Sequence, residues 1–367
     1  MPSAFLPVPG AEIARPREAA IGRSFRRWNR QQRRGQLLAV LTTIQPPTQS
    51  VQTLLRHLQS VQADLIVIGD QKGPVDYPLP GVRFYSLEDQ LTSDFRLAPA
   101  LPTGHYVRKN LGYLIAIQQH PACIYETDDD NAPNDSWRPR SLRTQVRKIQ
   151  ARPWANVYRM FSDANIWPRG FPLDLIADSR GIQNDVTVAD EVDAPIQQGL
   201  ANLSPDVDAI WRLVLDRDFT FEQDASVWLP PQTWCPFNSQ TTWWWPQAYP
   251  LLYLPSYCSF RMTDIWRSFV AQRCLWELGY GLVFHPPEVD QQRNVHNIMR
   301  DFEDEVAGYL HNRRIVRALG SLSLRSGPGE VRGNLRICYQ ELVRIDVIPE
   351  KELALVDAWL EDLTAIQ

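Results

Sequence analysis

An α/β fold built on a mostly parallel sheet is predicted by three observations. Short apolar, β-branched runs alternate with helical stretches over the first 130 residues, the pattern of strands joined by crossovers. Pro, Gly and Asp close those runs. Length and composition, 367 residues with 44% hydrophobic and 22% charged, are those of an ordinary globular chain, which argues against disorder, a fibrous repeat or a coiled coil. Residues 37–44 are a continuous apolar and β-branched run before Pro46 and Pro47 and predict a buried strand, with a helix following over residues 50–58. Residues 64–68 predict a second strand ended by Gly69 and Asp70, and residues 82–85 a third. Val107, Leu111, Leu114 and Ile115 fall at helical spacing within residues 105–119, and residues 122–127 form another strand, ending in Asp128, Asp129 and Asp130.

Beyond residue 135 the pattern loosens. Pro and Trp are frequent, and only residues 204–215 and 261–278 stand out as helices. Helical patterns at 298–319, 333–346 and 350–365 predict a C-terminal α-helical appendage, with a Gly/Ser-rich interval at 320–333. The expected organisation is therefore a basic leader (1–35), a main domain (36–296) and the appendage (297–367).

Several function classes are excluded by composition. The net charge of −4 combines +6 in residues 1–35, with eight arginines, and −10 in the remainder, so the bulk is not built for nucleic acid. The leader is read as a solvated or packing helix, with peripheral contact to an anionic membrane as the alternative. No apolar run reaches the ~18 to 20 residues that cross a bilayer, and the chain does not open like a secretion signal. Five scattered cysteines without a CxxC pair suggest neither a disulfide framework nor a zinc site. A cytoplasmic protein is expected.

The acidic triplet is the strongest chemical signal. Adjacent carboxylates repel one another, so they are retained at low cost only when solvated or neutralised by a cation. Hard divalent ions such as Mg²⁺ or Mn²⁺ take oxygen ligands and share their shell with phosphates. In open α/β sheets the ligand crevice lies beyond the carboxyl ends of the strands, where this triplet falls. Arg108 and Lys109, on the helix that feeds the acidic strand, are the expected cations for a diphosphate. Gly112 in that helix implies close approach of a ligand or a neighbouring strand.

Residues 42–48 (Thr-Thr-Ile-Gln-Pro-Pro-Thr), Gly69-Asp70, 86–90, 106–117 and 126–131 together resemble the STELLO family of glycosyltransferases. Residues 236–240, Phe260-Arg261, 264–267 and 293–296 continue the likeness, which spans roughly residues 37–300. The resemblance implies a GT-A-like nucleotide-sugar-binding domain with a donor half (36–134) and an acceptor half (135–296). It implies that Asp128 and Asp130 form a DxD pair holding Mn²⁺ or Mg²⁺ beside Asp129. Thr43 is then expected at the nucleotide end of the first strand, Asp70 facing base or ribose, and His296 completing the metal shell. The implied partners are a nucleotide sugar, with UDP expected ahead of GDP, and a carbohydrate acceptor. Plant members of the family carry a membrane anchor that is not seen here, so a soluble, bacterial-type relative is expected.

An inverting transferase needs a general base, and Asp264 is the candidate, since its helix packs apolar residues on other faces. Asp206 and Asp208, after Ser204-Pro205, read as a helix start. His285 reads as structural. Of thirteen tryptophans, most are expected in the core and one or two along the acceptor cleft, with Asn238 and Gln240 toward hydroxyls. Two rival readings remain, a self-glycosylating protein or nucleotide-sugar mutase, and a non-catalytic nucleotide-sugar-binding scaffold.

Overall fold

The computed structural model describes residues 36–179, 186–293 and 297–366. The basic leader and His296 lie outside them. The strands are β1 (Leu37–Thr42), β2 (Asp64–Ile68), β3 (Val82–Tyr85), β4 (Cys123–Thr127), β5 (Asn131–Pro133), β6 (Arg143–Ile149), β7 (Val186–Asp193), β8 (Ile196–Asn202), β9 (Val227–Leu229), β10 (Thr241–Trp244) and β11 (Leu282–Gln291). The helices are α1 (Gln49–Ser60), α2 (Leu87–Leu91), α3 (Leu97–Ala100), α4 (Lys109–Ile117), α5 (Ala209–Leu215), α6 (Thr263–Glu277), α7 (Ile298–Gly320), α8 (Val331–Arg344) and α9 (Glu352–Ile366).

All the strands join one sheet in the order β3-β2-β1-β4-β10-β8-β11-β9-β6-β7, with β5 paired to β11. The first four are mutually parallel, and β10 runs antiparallel to β4. β1 has β2 on one side and β4 on the other, so Val40 pairs with both Ile66 and Glu126. The chain order reverses direction across β1, and the crevice at the carboxyl ends of β1 and β4 is the place where such sheets bind ligands.

β1 reads as a continuous apolar run because both its faces are covered. Leu38 and Val40 point into a core shared with Leu111 and Leu114 of α4. Ala39 and Leu41 point the other way, against Val51, Leu54 and Leu58 of α1. Thr48 caps α1, its side chain accepting from the Val51 amide.

Every residue of α4 is buried. The Gly112 question is resolved in favour of neighbouring strands: a Cβ there would lie 2.6 Å from Val40 Cγ1 and 2.8 Å from Ile68 Cγ1. Gly112→Ala gains ~1 kcal/mol of helix propensity but forces α4 off the sheet, at about 1–3 kcal/mol for overpacking. The expected outcome is a net loss of stability on chemical denaturation, and a more stable variant would refute the packing argument.

The expected C-terminal helices are present, and they join the main core. One apolar cluster runs from Leu38 and Leu114 through Phe269 to Leu319, Leu342, Trp359 and Leu363. Polar contacts seal the junction. Asp362 accepts the Arg96 and Leu97 amides at the start of α3, at 2.8 and 2.9 Å, and Glu352 accepts those of Ser256 and Tyr257. No described helix is long and apolar enough to cross a membrane.

Candidate active site

β4 delivers the acidic turn, and its penultimate residue anchors it from below. Glu126 is fully buried, a placement a carboxylate tolerates only when paired. Arg267 Nη1 donates to its Oε1 at 2.7 Å, Trp244 Nε1 to its Oε2 at 2.9 Å, and the Tyr113 hydroxyl to Oε1. Burial alone would raise its pKa, but Arg267 and Lys109 hold the carboxyl below its ordinary value. Lys109 Nζ lies 4.0 Å from Glu126 and donates to Asp128 Oδ1 at 2.7 Å and to the Tyr106 hydroxyl at 3.0 Å. A buried chain of alternating charge, Arg267–Glu126–Lys109–Asp128, thus runs from α6 to the turn.

Each aspartate of the turn is held differently. Asp128 accepts from Lys109 and, at 3.1 Å, from the Tyr106 hydroxyl, both through Oδ1. Asp129 is tied to the loop after β1: the Thr43 hydroxyl donates to its Oδ2, and the Thr48 hydroxyl to its carbonyl at 2.5 Å. Asp130 accepts from Gln291 Nε2 at 3.0 Å and Asn131 Nδ2 at 3.1 Å. Burial, and then repulsion from Asp128 and Asp129, push the Asp130 carboxyl up to about 7. Asp128 and Asp129 are also raised, chiefly by burial.

These aspartates border a cleft of about 450 Å³ together with Thr43, Asp70, Tyr106, Phe260, Gln291 and the cations Lys72, Arg261 and Arg293. Phe260 is 52% exposed at its mouth, its ring 5.9 Å from Tyr106 and 6.0 Å from His105. An exposed aromatic ring on a polar cleft offers a face to a flat or C–H-rich ligand.

Not every expected residue is brought here as a free group. Asp70 lines the cleft, but its carboxylate accepts the amides of Gln71, Gly104 and His105 at 2.7–2.9 Å and so fixes the 103–105 loop. Arg108 is fully buried, donating to Gln90 Oε1 and to the carbonyls of Ala98 and Leu101. It does not reach the cleft. Lys109 is equally buried, and its charge is spent on Asp128 from inside the protein.

Asp264 departs from the expectation of a carboxylate looking into the cleft. Arg169 grips it through two nitrogens at 3.0 and 2.9 Å, and the Ser239 and Ile265 amides donate to it as well. Burial raises its pKa, yet Arg169 outweighs this and the net shift is downward. A base works best with a pKa near the operating pH, so this environment does not tune Asp264 for proton abstraction.

Asp206 shares Arg169, and Asp208 caps α5 through the Trp211 amide at 2.8 Å. His285 is buried between Ser226 and Gln197, and burial lowers its pKa well below the ordinary value. Trp243, Trp244 and Trp245 are all buried, and no tryptophan among the described residues borders the cleft; Phe260 and Tyr106 take that place. Asn238 is engaged with Gln198, while Gln240 donates to Gln291 at 2.7 Å and so supports the side chain that orients Asp130.

Lys72 and Gln291 were not singled out by the sequence, and Arg261 and Arg293 stand there only within blocks of the family likeness, with no role in the site. The last three come from segments some 130 to 160 positions away in the chain from the acidic turn, and only the packing of α6 and β11 reveals them. Among the described residues no three His, Cys, Asp or Glu side chains converge to hold a metal ion by themselves. Asp128 and Asp130 nevertheless fit a hard cation that takes one or two carboxylates and completes its shell with phosphate and water.

Comparison with known proteins adds the following. Residues 261–367 match the family described as STELLO glycosyltransferases. The protein named "Probable glycosyltransferase STELLO1" of Arabidopsis thaliana is 27% identical over 347 residues, covering 89% of this chain and 44% of the relative. "Probable glycosyltransferase STELLO2" of the same plant is 27% identical over 349 residues with the same coverage. The chain thus spans less than half the length of these relatives.

Proposed function

We propose that this chain, whose residues 261–367 match the STELLO glycosyltransferases and which is 27% identical to two proteins of that name, is a glycosyltransferase of that family, and that the cleft at the carboxyl ends of β1 and β4 takes a nucleotide-sugar donor. The observation that carries this reading is the electrostatics of the turn. Burial raises all three aspartates, and repulsion from Asp128 and Asp129 raises Asp130 further. Lys109 neutralises only the inner side. When bound, Mn²⁺ or Mg²⁺ would neutralise the donor diphosphate as its bond to the sugar breaks.

The protein's own residues aim and shape. Lys109 and Tyr106 fix Asp128, Gln291 orients Asp130, and Thr43 with Thr48 locks Asp129 against the β1 loop. Lys72 borders the cleft as a cation suited to a diphosphate, with Arg261, paired to Glu305, and Arg293, paired to Asp301, beside it. In the transfer, the acceptor hydroxyl oxygen bonds to the anomeric carbon and the bond from that carbon to the diphosphate oxygen breaks. The hydroxyl proton passes to water.

UDP is the favoured nucleotide, with GDP second. A ligand that binds only the native state raises the melting temperature in proportion to its affinity. UDP or a UDP-sugar is expected to raise it with Mn²⁺ present and not with EDTA. No stabilisation by any nucleotide sugar in a panel, with or without metal, would refute the reading. Label incorporated into the protein itself would favour self-glycosylation, and binding without turnover a scaffold.

A further inference from the structure

A second cavity, of about 650 Å³, adjoins the donor cleft and shares Gln291 and Arg293 with it. Its polar lining includes Arg212 and Arg217. Arg212 is 7% exposed, and its buried environment gives it little to bind. Nη2 donates to the Pro205 carbonyl at 2.6 Å, while the buried Nε has no hydrogen-bond partner. No carboxylate among the described residues lies within ion-pair distance of it. Burial, and then repulsion from Arg293, lower its pKa to about 10, against the pull of the buried Asp206, whose carboxylate is held by Arg169. Asp216 and Asp218 also border the cavity, but both are exposed, and water screens their charge.

A buried guanidinium with unmade hydrogen bonds is costly unless an anion completes them, and its planar fork suits carboxylate and phosphate oxygens. Gln291 touches both cavities and also holds Asp130, so a molecule seated beside Arg212 lies next to the corner where a donor sugar would be activated. We infer that this cavity is the acceptor subsite, and that it selects a carbohydrate acceptor carrying an anionic group, which Arg212 receives with Arg217 and Arg293 around it. The assignment of the acceptor rests on the transferase reading above; the anion site itself does not.

The test uses the full chain in metal-free buffer with EDTA, so that the acidic turn recruits no anion through a cation. Calorimetric titration compares glucuronate, glucose 6-phosphate and glucose. At least one charged sugar is expected to bind tenfold or more tighter than glucose, and which of the two does so tells a carboxylate from a phosphate site. Arg212→Gln is expected to reduce that preference below threefold and Arg212→Lys to keep most of it. The exposed Arg217→Gln should weaken it in part, which guards against a folding defect at the buried position. UDP affinity with Mn²⁺ should be unchanged in all three variants. Equal binding of charged and neutral sugars, or a preference that survives both glutamine variants, overturns the inference. If UDP fails to bind while the Arg212-dependent preference persists, the donor reading falls and the anion site stands.

Discussion

Asp130→Ala is expected to abolish Mn²⁺-dependent UDP binding, by at least about a hundredfold, while leaving the metal-free protein as stable as before. The two parts of this result have one origin. Asp130 is the aspartate driven highest by burial and by its two neighbours, so its charge costs folding energy that only a cation offsets. Its removal relieves repulsion and frees only Gln291 and Asn131, both able to find other partners. Calorimetric titration of UDP with and without Mn²⁺, beside a thermal melt of the metal-free variant, reads both quantities. Metal-dependent UDP binding at wild-type strength would mean that the cation sits elsewhere.

Glu126→Ala should do the reverse and unfold the protein more easily. The substitution leaves Arg267 buried without a carboxylate and strips Tyr113 and Trp244 of their acceptor. Breaking one side of such a buried pair costs about 3–5 kcal/mol. At roughly 2 cal/mol/K of unfolding entropy per residue, the melting temperature should drop by about 5 °C. Pairing the change with Arg267→Met removes the orphaned cation, and the double variant is expected to recover about half of the loss. A double variant no better than the single one would show that Arg267 is not held by Glu126. Nucleotide binding should weaken as well, since Lys109 is then free to move away from Asp128.

β1 and β2 were legible because they are buried on both faces and write themselves as nearly unbroken apolar runs. The strands expected at 64–68 and 82–85 coincide with β2 and β3, and the acidic triplet falls at the end of β4. β11 was legible only as far as His285, since Pro286 and Pro287 ordinarily end a strand, and it runs on to Gln291. The structure accommodates them where the register with β8 shifts, between Phe284 and Pro287. β6 and β7 carry Arg, Lys, Gln, Asp and Glu along their length and give no apolar run to read. The helix expected from Ser204 starts only at Ala209, because Asp208, rather than Ser204, supplies the cap.

The site was legible as a motif and illegible as a circuit. Three aspartates in a row raise the expectation of a cation, but nothing in the order of residues says that Arg108 turns inward while its neighbour Lys109 reaches Asp128. That choice is set by helical phase: Lys109 and Tyr113, one turn apart, both face Glu126, while Arg108 faces α2 and α3. Asp264 was misjudged for a similar reason, since Arg169, which captures it, lies 95 residues earlier.

The docking of α9 against α3 and α4 bears on biosynthesis. A ribosome delivers β1 and β4 first and Trp359, Asp362 and Leu363 some 230 residues after the acidic turn. Until those last side chains emerge, the apolar floor beneath α4 stays open to water and α3 lacks the carboxylate that begins it. The floor beneath α4 therefore closes only once α9 has been made, and the nascent chain needs shelter from aggregation until then.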